Sequence, residues 1–212
     1  GHPFNEKTSR PPYKGISNVD YAANFKDFLT RRPEKKPFCF WLGTKEPHRG
    51  YGKNNWKLDG RDLAKVQVPA YYPDNQTIRG DLADYAIEVE WYDRHIGLAL
   101  QHLEQSNLLD NTVIIATSDH GMPFPRAKAN LYEYGIHMPL AVAWPAKVPA
   151  GQDTDELVSL IDVTRTIFDA AGVEPRQAEQ LSGHSLLPSI AQDAKEVQSP
   201  REFVFSGRER HS

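Results

Sequence analysis

The sequence predicts an α/β fold in which a mostly parallel sheet is flanked by helices. Short apolar runs without polar alternation, at 38–42 and 112–117, alternate with segments whose apolar residues recur at helical spacing. Alternating strands and helices are typical of a sheet that is covered on both faces. The 212 residues, 39% of them hydrophobic, are enough to bury a core in one large domain or two small ones.

The first part of the chain, residues 1–36, predicts an irregular lead-in followed by a helix from Tyr21 to Thr30. The run Phe38-Cys39-Phe40-Trp41-Leu42 then predicts a strand covered on both faces, which would bury Cys39 in the core. Residues 50–78 are polar and aromatic, and they form a connection too long for an ordinary turn. Such loops usually cover or shape a site.

The remaining elements continue the alternation. A long amphipathic helix is predicted from Asp81 to Ser106 because its apolar residues recur mostly at helical spacing. A later helix, Leu157 to Ala171, ends at Gly172, a residue type typical of a helix C-cap. Further strands are predicted at 112–117, 139–144 and 203–205.

Charge and composition restrict the partners. A net charge of −3 gives no general attraction for nucleic acid or anionic membranes, so a bound anion must be held by a local site. No run approaches the roughly 18 apolar residues of a membrane span. Cys39 is the single cysteine, which excludes an internal disulfide.

Chargeable residues follow the strand at 112–117, at the point where open α/β sheets bind ligands. On the turn beyond the strand, Asp119 and His120 can converge on one cation. A proline-stiffened loop then leads Arg126 and Lys128 back toward this pair, and a metal beside fixed cations suits an oxyanion. The alternative is an ordinary strand-terminating turn in which Asp119 caps backbone amides.

The strand at 38–42 is followed by a similar segment, Gly43-Thr44-Lys45-Glu46-Pro47-His48-Arg49. His48 is the candidate functional group there, because it lies at a corresponding strand end. A loop histidine that only decorates the surface is the alternative.

Together these motifs resemble the sulfatase family. The residues of 118–121, followed by Lys128, Tyr132 and Gly135, are similar to the second metal-binding motif of those enzymes. Within the family, the chain is most similar to the heparan N-sulfatase (sulfamidase) branch. The similarity covers about residues 37–190 and also includes the segments 121–125, 46–49, 158–164 and 181–188.

The resemblance implies an alkaline phosphatase-like fold, incomplete in this chain, with residues 37–212 as the C-terminal part of the catalytic domain. It implies a divalent metal, usually calcium in the family, with Asp119 and His120 as ligands. It further implies that Lys128 bridges sulfate and nucleophile and that His48 contacts the scissile sulfate and its leaving group.

An imidazole at 120, where many members have Asn, is unusual for calcium, which prefers oxygen donors. Substrate contacts are expected from Arg49, Asn130 and His211, although a basic chain end containing Arg208, Arg210 and His211 can also be simply solvated.

Sulfatases attack sulfur with a formylglycine made in a Cys/Ser-x-Pro/Ala-x-Arg motif, and they begin with an Asp-Asp metal pair. Neither motif occurs here, and the residues after Cys39 do not fit the first of them. The family's upstream Lys and His of the sulfate pocket also have no match before residue 20. We therefore expect that the chain is a fragment, that formylglycine lies in a missing N-terminal segment, and that the fragment alone is inactive.

The resemblance implies that the full-length enzyme hydrolyses sulfate esters or sulfamates on a sulfated saccharide, with a heparan-type glycosaminoglycan as the expected substrate. It also implies a periplasmic, secreted or lysosomal location, which the sequence itself does not give. Two alternatives remain: a zinc-dependent phosphatase or phosphodiesterase of the same superfamily, and a noncatalytic module that binds sulfated glycans. The residues upstream of Gly1 discriminate among all three, because only a sulfatase needs the formylglycine motif there.

Overall fold

The computed structural model of the chain describes residues 4–191 and 201–207. The chain divides into two compact units, Gly1–Ser106 and Asn107–Ser212. None of the helices formed by the described residues is both long and apolar enough to cross a membrane.

The first unit is built on three helices: α1 (Tyr21–Arg31), α2 (Asn55–Asp59) and α3 (Gln76–Gln105). The Asp20 side chain accepts a hydrogen bond from the Ala23 amide and caps α1. α1 and α2 both pack on α3. The apolar core of this unit consists of Ile16, Tyr21, Ala22, Phe25, Ala83, Ile87, Ala99 and Leu103.

The long connection at 50–78 is anchored to α3 by a buried carboxylate. Asp84 is 3% exposed and accepts hydrogen bonds from the amides of Asn54 (2.8 Å) and Trp56 (2.7 Å). Burial raises the pKa of Asp84, and the two amides act in the opposite direction. The loop is therefore fixed where α2 begins.

The strand predicted at 38–42 is wrong for this structure. Phe38 and Phe40 pack against Phe28 of α1, with ring centroids 5.4 and 4.8 Å away, whereas Cys39 is exposed and Trp41 is 88% exposed. No neighbouring strand pairs with this segment among the described residues. A strand needs a partner for its amides and carbonyls, and this run has none among the described residues. Only one face of the run is covered, the face that carries Phe38 and Phe40.

The second unit contains a sheet of two strands, β1 (Ile114–Thr117) and β2 (Leu140–Ala143), which pair antiparallel. The mostly parallel sheet expected from the sequence is therefore not seen in the described part of the chain. The reason lies in the connection: Thr117 is paired with Leu140, so the segment 118–139 folds back and enters β2 at the end where β1 leaves. The predicted strand at 203–205 is also absent, and Phe205 is 88% exposed.

Helices complete the second unit: α4 (Glu133–Ile136), α5 (Leu160–Ala171) and α6 (Leu187–Ile190). The predicted end of α5 is confirmed, because Gly172 adopts a left-handed conformation with φ of +64°. Ser159 and Asp162 form a reciprocal capping box at its start.

Asp162 connects α5 to the backbone at His184 and to the side chain of Arg201. It is 2% exposed and accepts hydrogen bonds from the His184 amide (2.7 Å) and from the Arg201 guanidinium (2.6 Å). Thr166, also fully buried, accepts from the Leu186 amide at 2.9 Å. Burial alone would raise the pKa of Asp162, but Arg201 and the amides of His184 and Ser159 hold it below its ordinary value.

Replacing Asp162 by asparagine is expected to destabilise the second unit by about 2–4 kcal/mol, because Arg201 loses a buried anionic partner. Since the folded pKa is depressed, the contribution of this carboxylate is present above its unfolded pKa and is lost as pH falls through the folded value. Denaturant unfolding at neutral and acidic pH, followed by amide exchange in α5, measures both effects. Asp169→Asn, which removes a more exposed partner of Arg165, is the control; equal losses for the two variants would contradict this role.

Candidate functional site

The candidate metal ligands lie directly after β1, on the turn that ends it. The Asp119 side chain is 84% exposed, and one of its oxygens lies 3.3 Å from His120 Nε2. The two candidate ligands thus lie side by side in the second unit, and their role toward a cation stays a prediction. Asp119 does not cap any backbone amide in the described residues, so the ordinary-turn interpretation receives no support.

The His120 ring contacts groups of the turn that carries it. Nδ1 lies 3.0 Å from the Gly121 carbonyl, so we assign Nδ1 as the protonated nitrogen. The Nε2 atom then faces the Asp119 carboxylate oxygen at 3.3 Å. Metal-bound histidines commonly donate their other N–H to a backbone carbonyl in this way.

The pair alone does not complete a metal site. Within residues 4–191 and 201–207, no group of three or more His, Cys, Asp or Glu side chains is arranged to hold a metal ion. Asp119 and His120 by themselves therefore do not form a metal site in the described residues.

The loop from Met122 to Asn130 carries Lys128, the predicted cationic side chain. The Lys128 amide donates to the Met122 carbonyl at 3.1 Å, which closes the loop, and Ala127 beside it is completely buried. The Lys128 side chain is exposed and makes no ion pair with the described residues. Its ammonium is thus available to a ligand while its backbone is held.

Two glycines allow this loop to pack closely on itself. A Cβ at Gly121 would lie 1.9 Å from the Tyr134 carbonyl oxygen, and one at Gly135 would lie 2.2 Å from that of Asn130. The tight turn predicted for Gly121 therefore has a specific cause, which is close approach of backbone from the end of the loop.

The other predicted substrate contacts differ in their surroundings. Asn130 donates from its amide to the Lys128 carbonyl at 3.0 Å, so this amide serves the loop. His211, like Arg208 and Arg210, lies outside the described residues.

The first unit carries His48 and Arg49. His48 is exposed, as a group that meets a ligand must be. Arg49 pairs with Asp81 at 2.7 Å and donates to the Tyr51 hydroxyl, which in turn donates to Asp81. Arg49 is therefore already held by its own unit, with about half of its side chain exposed.

The loop that carries His48 is anchored by Glu46, a residue that sequence reasoning missed. Glu46 is 3% exposed and accepts hydrogen bonds from the Ser17 amide (2.6 Å) and the Tyr21 hydroxyl (2.8 Å). The Tyr21 hydroxyl also accepts from the Lys45 amide at 3.0 Å. These bonds fix the loop immediately before His48.

A second missed carboxyl, Glu88, lies on the buried side of α3 and is 1% exposed. Burial, and then the charge of Glu46, raise the pKa of Glu88 to about 7, while the charge of Lys45 acts in the opposite direction. The signal was present in the sequence, since Glu88 follows Asp84 by one helical turn on the stripe that contains Ala83 and Ile87.

Replacing Glu88 by glutamine is expected to stabilise the protein above pH 7 by an amount on the order of 1–3 kcal/mol. A carboxyl whose folded pKa is raised from 4.5 to about 7 favours folding below the lower value and loses that contribution as pH rises to the higher one. Glutamine cannot ionise, so the unfolding free energy of the Glu88→Gln variant should not fall with rising pH in this way. Denaturant unfolding at several pH values between 4 and 8 measures the difference; parallel pH profiles for the two proteins would contradict the assignment.

Comparison with known proteins identifies related chains along most of the sequence. The family model described as Sulfatase matches residues 2–173. The chain is 34% identical to human N-sulphoglucosamine sulphohydrolase over 168 residues, which is 75% of this chain and 33% of that protein. It is 27% identical to human N-acetylgalactosamine-6-sulfatase over 203 residues, 90% of this chain and 34% of that protein. The chain thus spans about a third of the length of these relatives.

Solved structures are similar to this chain in fold. A Bacteroides thetaiotaomicron protein of glycosaminoglycan metabolism superposes with a TM-score of 0.70 at 25% identity, covering 85% of this chain and 39% of that one. A protein solved in complex with its substrate, D-glucosamine-2-N,6-O-disulfate, superposes with a TM-score of 0.63 at 21% identity, covering 81% of this chain and 51% of that one.

Proposed function

Because this chain belongs to the sulfatase family, we propose that it is the part of a longer enzyme that holds sulfate and contributes to metal binding. The reaction is hydrolysis of a sulfate ester or sulfamate on a sulfated sugar. The observation that carries this proposal is the segment after β1, where Asp119 and His120 converge and the exposed Lys128 is held by its own loop.

The chain's own residues supply positive charge and a proton. Lys128 would neutralise sulfate oxygens, an interaction that strengthens as charge builds up in the transition state. His48 would donate a proton to the leaving oxygen or nitrogen, or orient it, and it is exposed to do so. The guanidinium of Arg49 already pairs with Asp81, so it would have to contact the sugar and Asp81 at the same time.

Asp119 and the Nε2 atom of His120 would contribute to holding the divalent metal. When bound, the metal would polarise the sulfate oxygens, while formylglycine from a segment outside this chain would supply the nucleophile. Calcium is the metal expected from the family. His120 is the specific observation that favours a second candidate, a zinc-dependent phosphatase or phosphodiesterase, because imidazole suits a borderline metal better than calcium.

The proposed substrate is a sulfated glucosamine of the heparan type. The name of the human sulphohydrolase at 34% identity and the ligand of the disulfate complex both support this class. Residues 37–212 would form the C-terminal part of the catalytic domain, and the rest of the enzyme would supply the strands of a mostly parallel sheet. The exposed Trp41 and Cys39 in the run after α1 are consistent with a strand that lacks its neighbours.

The test is sulfate release by the full-length protein. We expect inorganic sulfate from an N-sulfated glucosamine substrate, loss of activity after chelation, and recovery with calcium. The 212-residue chain alone should release none. Zinc-dependent release of phosphate from a phosphate ester, without sulfate release, would establish the second candidate instead. Binding of sulfated glycan with neither reaction would indicate a noncatalytic module.

A further inference from the structure

Arg49, Tyr51 and Asp81 form a closed ring of side-chain contacts in the first unit, here named the Arg49 cluster. Asp81 lies on α3, whereas Arg49 and Tyr51 follow His48 along the chain. We infer that Asp81 is a positioning residue, which holds the Arg49 guanidinium ready to bond to oxygen atoms of the sugar. That use of the guanidinium rests on the proposed function, whereas the contacts themselves are a property of the fold.

The contacts involve both Nη atoms of Arg49 and both carboxylate oxygens of Asp81. Arg49 Nη2 lies 2.7 Å from Asp81 Oδ2, and Nη1 donates to the Tyr51 hydroxyl. That hydroxyl donates to Asp81 Oδ1 at 2.9 Å, and the guanidinium also lies over the Tyr51 ring, 5.3 Å from its centroid. A carboxylate, a hydroxyl and a ring face therefore fix the guanidinium together.

The main chain beside the cluster is held without Asp81. The Gly52 amide donates to the Lys14 carbonyl at 2.8 Å. A Cβ at Gly15 would lie 2.5 Å from the Tyr51 Cα atom, so the two segments pack closely. Asp81 itself accepts from no backbone amide in the described part of the chain. Its carboxylate therefore acts on the side chains of Arg49 and Tyr51 and not on the course of the loop.

An arginine that is held before its ligand arrives binds that ligand more tightly. A long side chain otherwise loses conformational entropy on binding, and a side chain that is already ordered does not. The Arg49 side chain is still 52% exposed despite its contacts. Arg49 also follows His48 directly, so a sugar at the imidazole would lie within reach of the guanidinium. Loss of Asp81 should therefore weaken substrate binding and leave the chemical step unchanged.

Steady-state kinetics of the full-length enzyme on an N-sulfated glucosamine substrate test this role. Arg49→Ala should raise KM roughly ten- to a hundredfold with little change in kcat, because a charged hydrogen bond to the sugar is lost. Asp81→Ala should raise KM by a smaller factor, roughly two- to tenfold, the range expected for ordering one side chain. Asp93→Ala, an exposed change on the same helix, is the matched control and should keep the wild-type KM.

The double variant separates positioning from a general structural effect. If Asp81 acts only through Arg49, adding Asp81→Ala to Arg49→Ala should raise KM no further. An equal rise in the wild-type and Arg49→Ala backgrounds would overturn the proposal, and so would a wild-type KM in either single variant.

Chemical labelling tests the contacts without any activity. Phenylglyoxal modifies arginine side chains, and Asp81 and Tyr51 engage both Nη atoms of Arg49. In Asp81→Ala, peptide mapping should show Arg49 modified roughly threefold faster, as expected for loss of a half-exposed ion pair. The exposed Arg10 is the internal reference and should keep its rate. An unchanged rate at Arg49 would overturn the contact, whereas a faster rate in a protein whose wild type releases no sulfate would mean that the contact is correct and the proposed function is wrong.

Discussion

Replacing Lys128 by alanine in the full-length enzyme is expected to lower kcat for a sulfated sugar by roughly a hundred- to a thousandfold, the range seen when a group that stabilises developing negative charge is removed. The fold should survive, because the loop is held by the backbone bond from Lys128 to Met122 and by the buried Ala127, neither of which needs the ammonium.

A suitable control is Lys147→Ala. This lysine belongs to the same unit, but its ammonium lies over the ring of Trp144, 4.3 Å from the centroid. Initial rates over a range of substrate concentrations, with thermal unfolding of each variant, separate a chemical effect from misfolding. Near-normal kcat in a folded Lys128→Ala enzyme would remove this residue from the site.

Replacing Asp119 by asparagine is expected to weaken metal binding by roughly ten- to a hundredfold or more, because a charged oxygen ligand becomes a neutral one. The exposed Asp119 side chain makes no hydrogen bond to a backbone amide, so its loss should hardly affect stability. Metal content after dialysis and calorimetric titration with calcium measure the change.

Asp110→Asn provides the matched control, since this aspartate lies on the same unit just before β1 and is also exposed. A variant at Asp119 that retains its full complement of metal would refute the ligand role. A variant that unfolds without metal would instead show that the cation supports the fold.

The helices could be predicted from the sequence because their determinants are local. α1 was expected to end at Thr30 and ends at Arg31, and the end of α5 at Gly172 was correct. The stripe of apolar residues on α3 is likewise a local pattern, although the helix begins earlier than expected, at Gln76 after its cap Asn75.

The strands could not be predicted to the same extent, because a strand depends on distant partners. The run 38–42 has the composition of a buried strand, but in the described residues its phenylalanines pack against Phe28 of α1 and against Phe4, and Cys39 is exposed. The orientation of β2 depends on the close packing of the loop between Gly121 and Gly135, which no periodicity reveals.

The residues of the candidate site likewise divide into those that a local pattern predicts and those that depend on distant partners. Asp119, His120 and Lys128 all lie within the eleven residues that follow β1, so one local motif was enough to name them as candidates. Glu46 and Glu88 are far apart in sequence, and only the fold brings their charges close enough to interact. A charged residue on the buried stripe of a helix was the signal available for Glu88.

The central claim is that this chain supplies the sulfate-holding groups while the nucleophile lies elsewhere in the enzyme. Because Cys39 is exposed rather than buried, burial no longer excludes it as the nucleophile, and it must be tested directly. The most direct measurement is peptide mapping of the active full-length protein after labelling with an aminooxy reagent specific for aldehydes. We predict a labelled peptide upstream of Gly1 and an unmodified thiol at Cys39; an aldehyde at Cys39, or sulfatase turnover without any labelled peptide, would contradict the account.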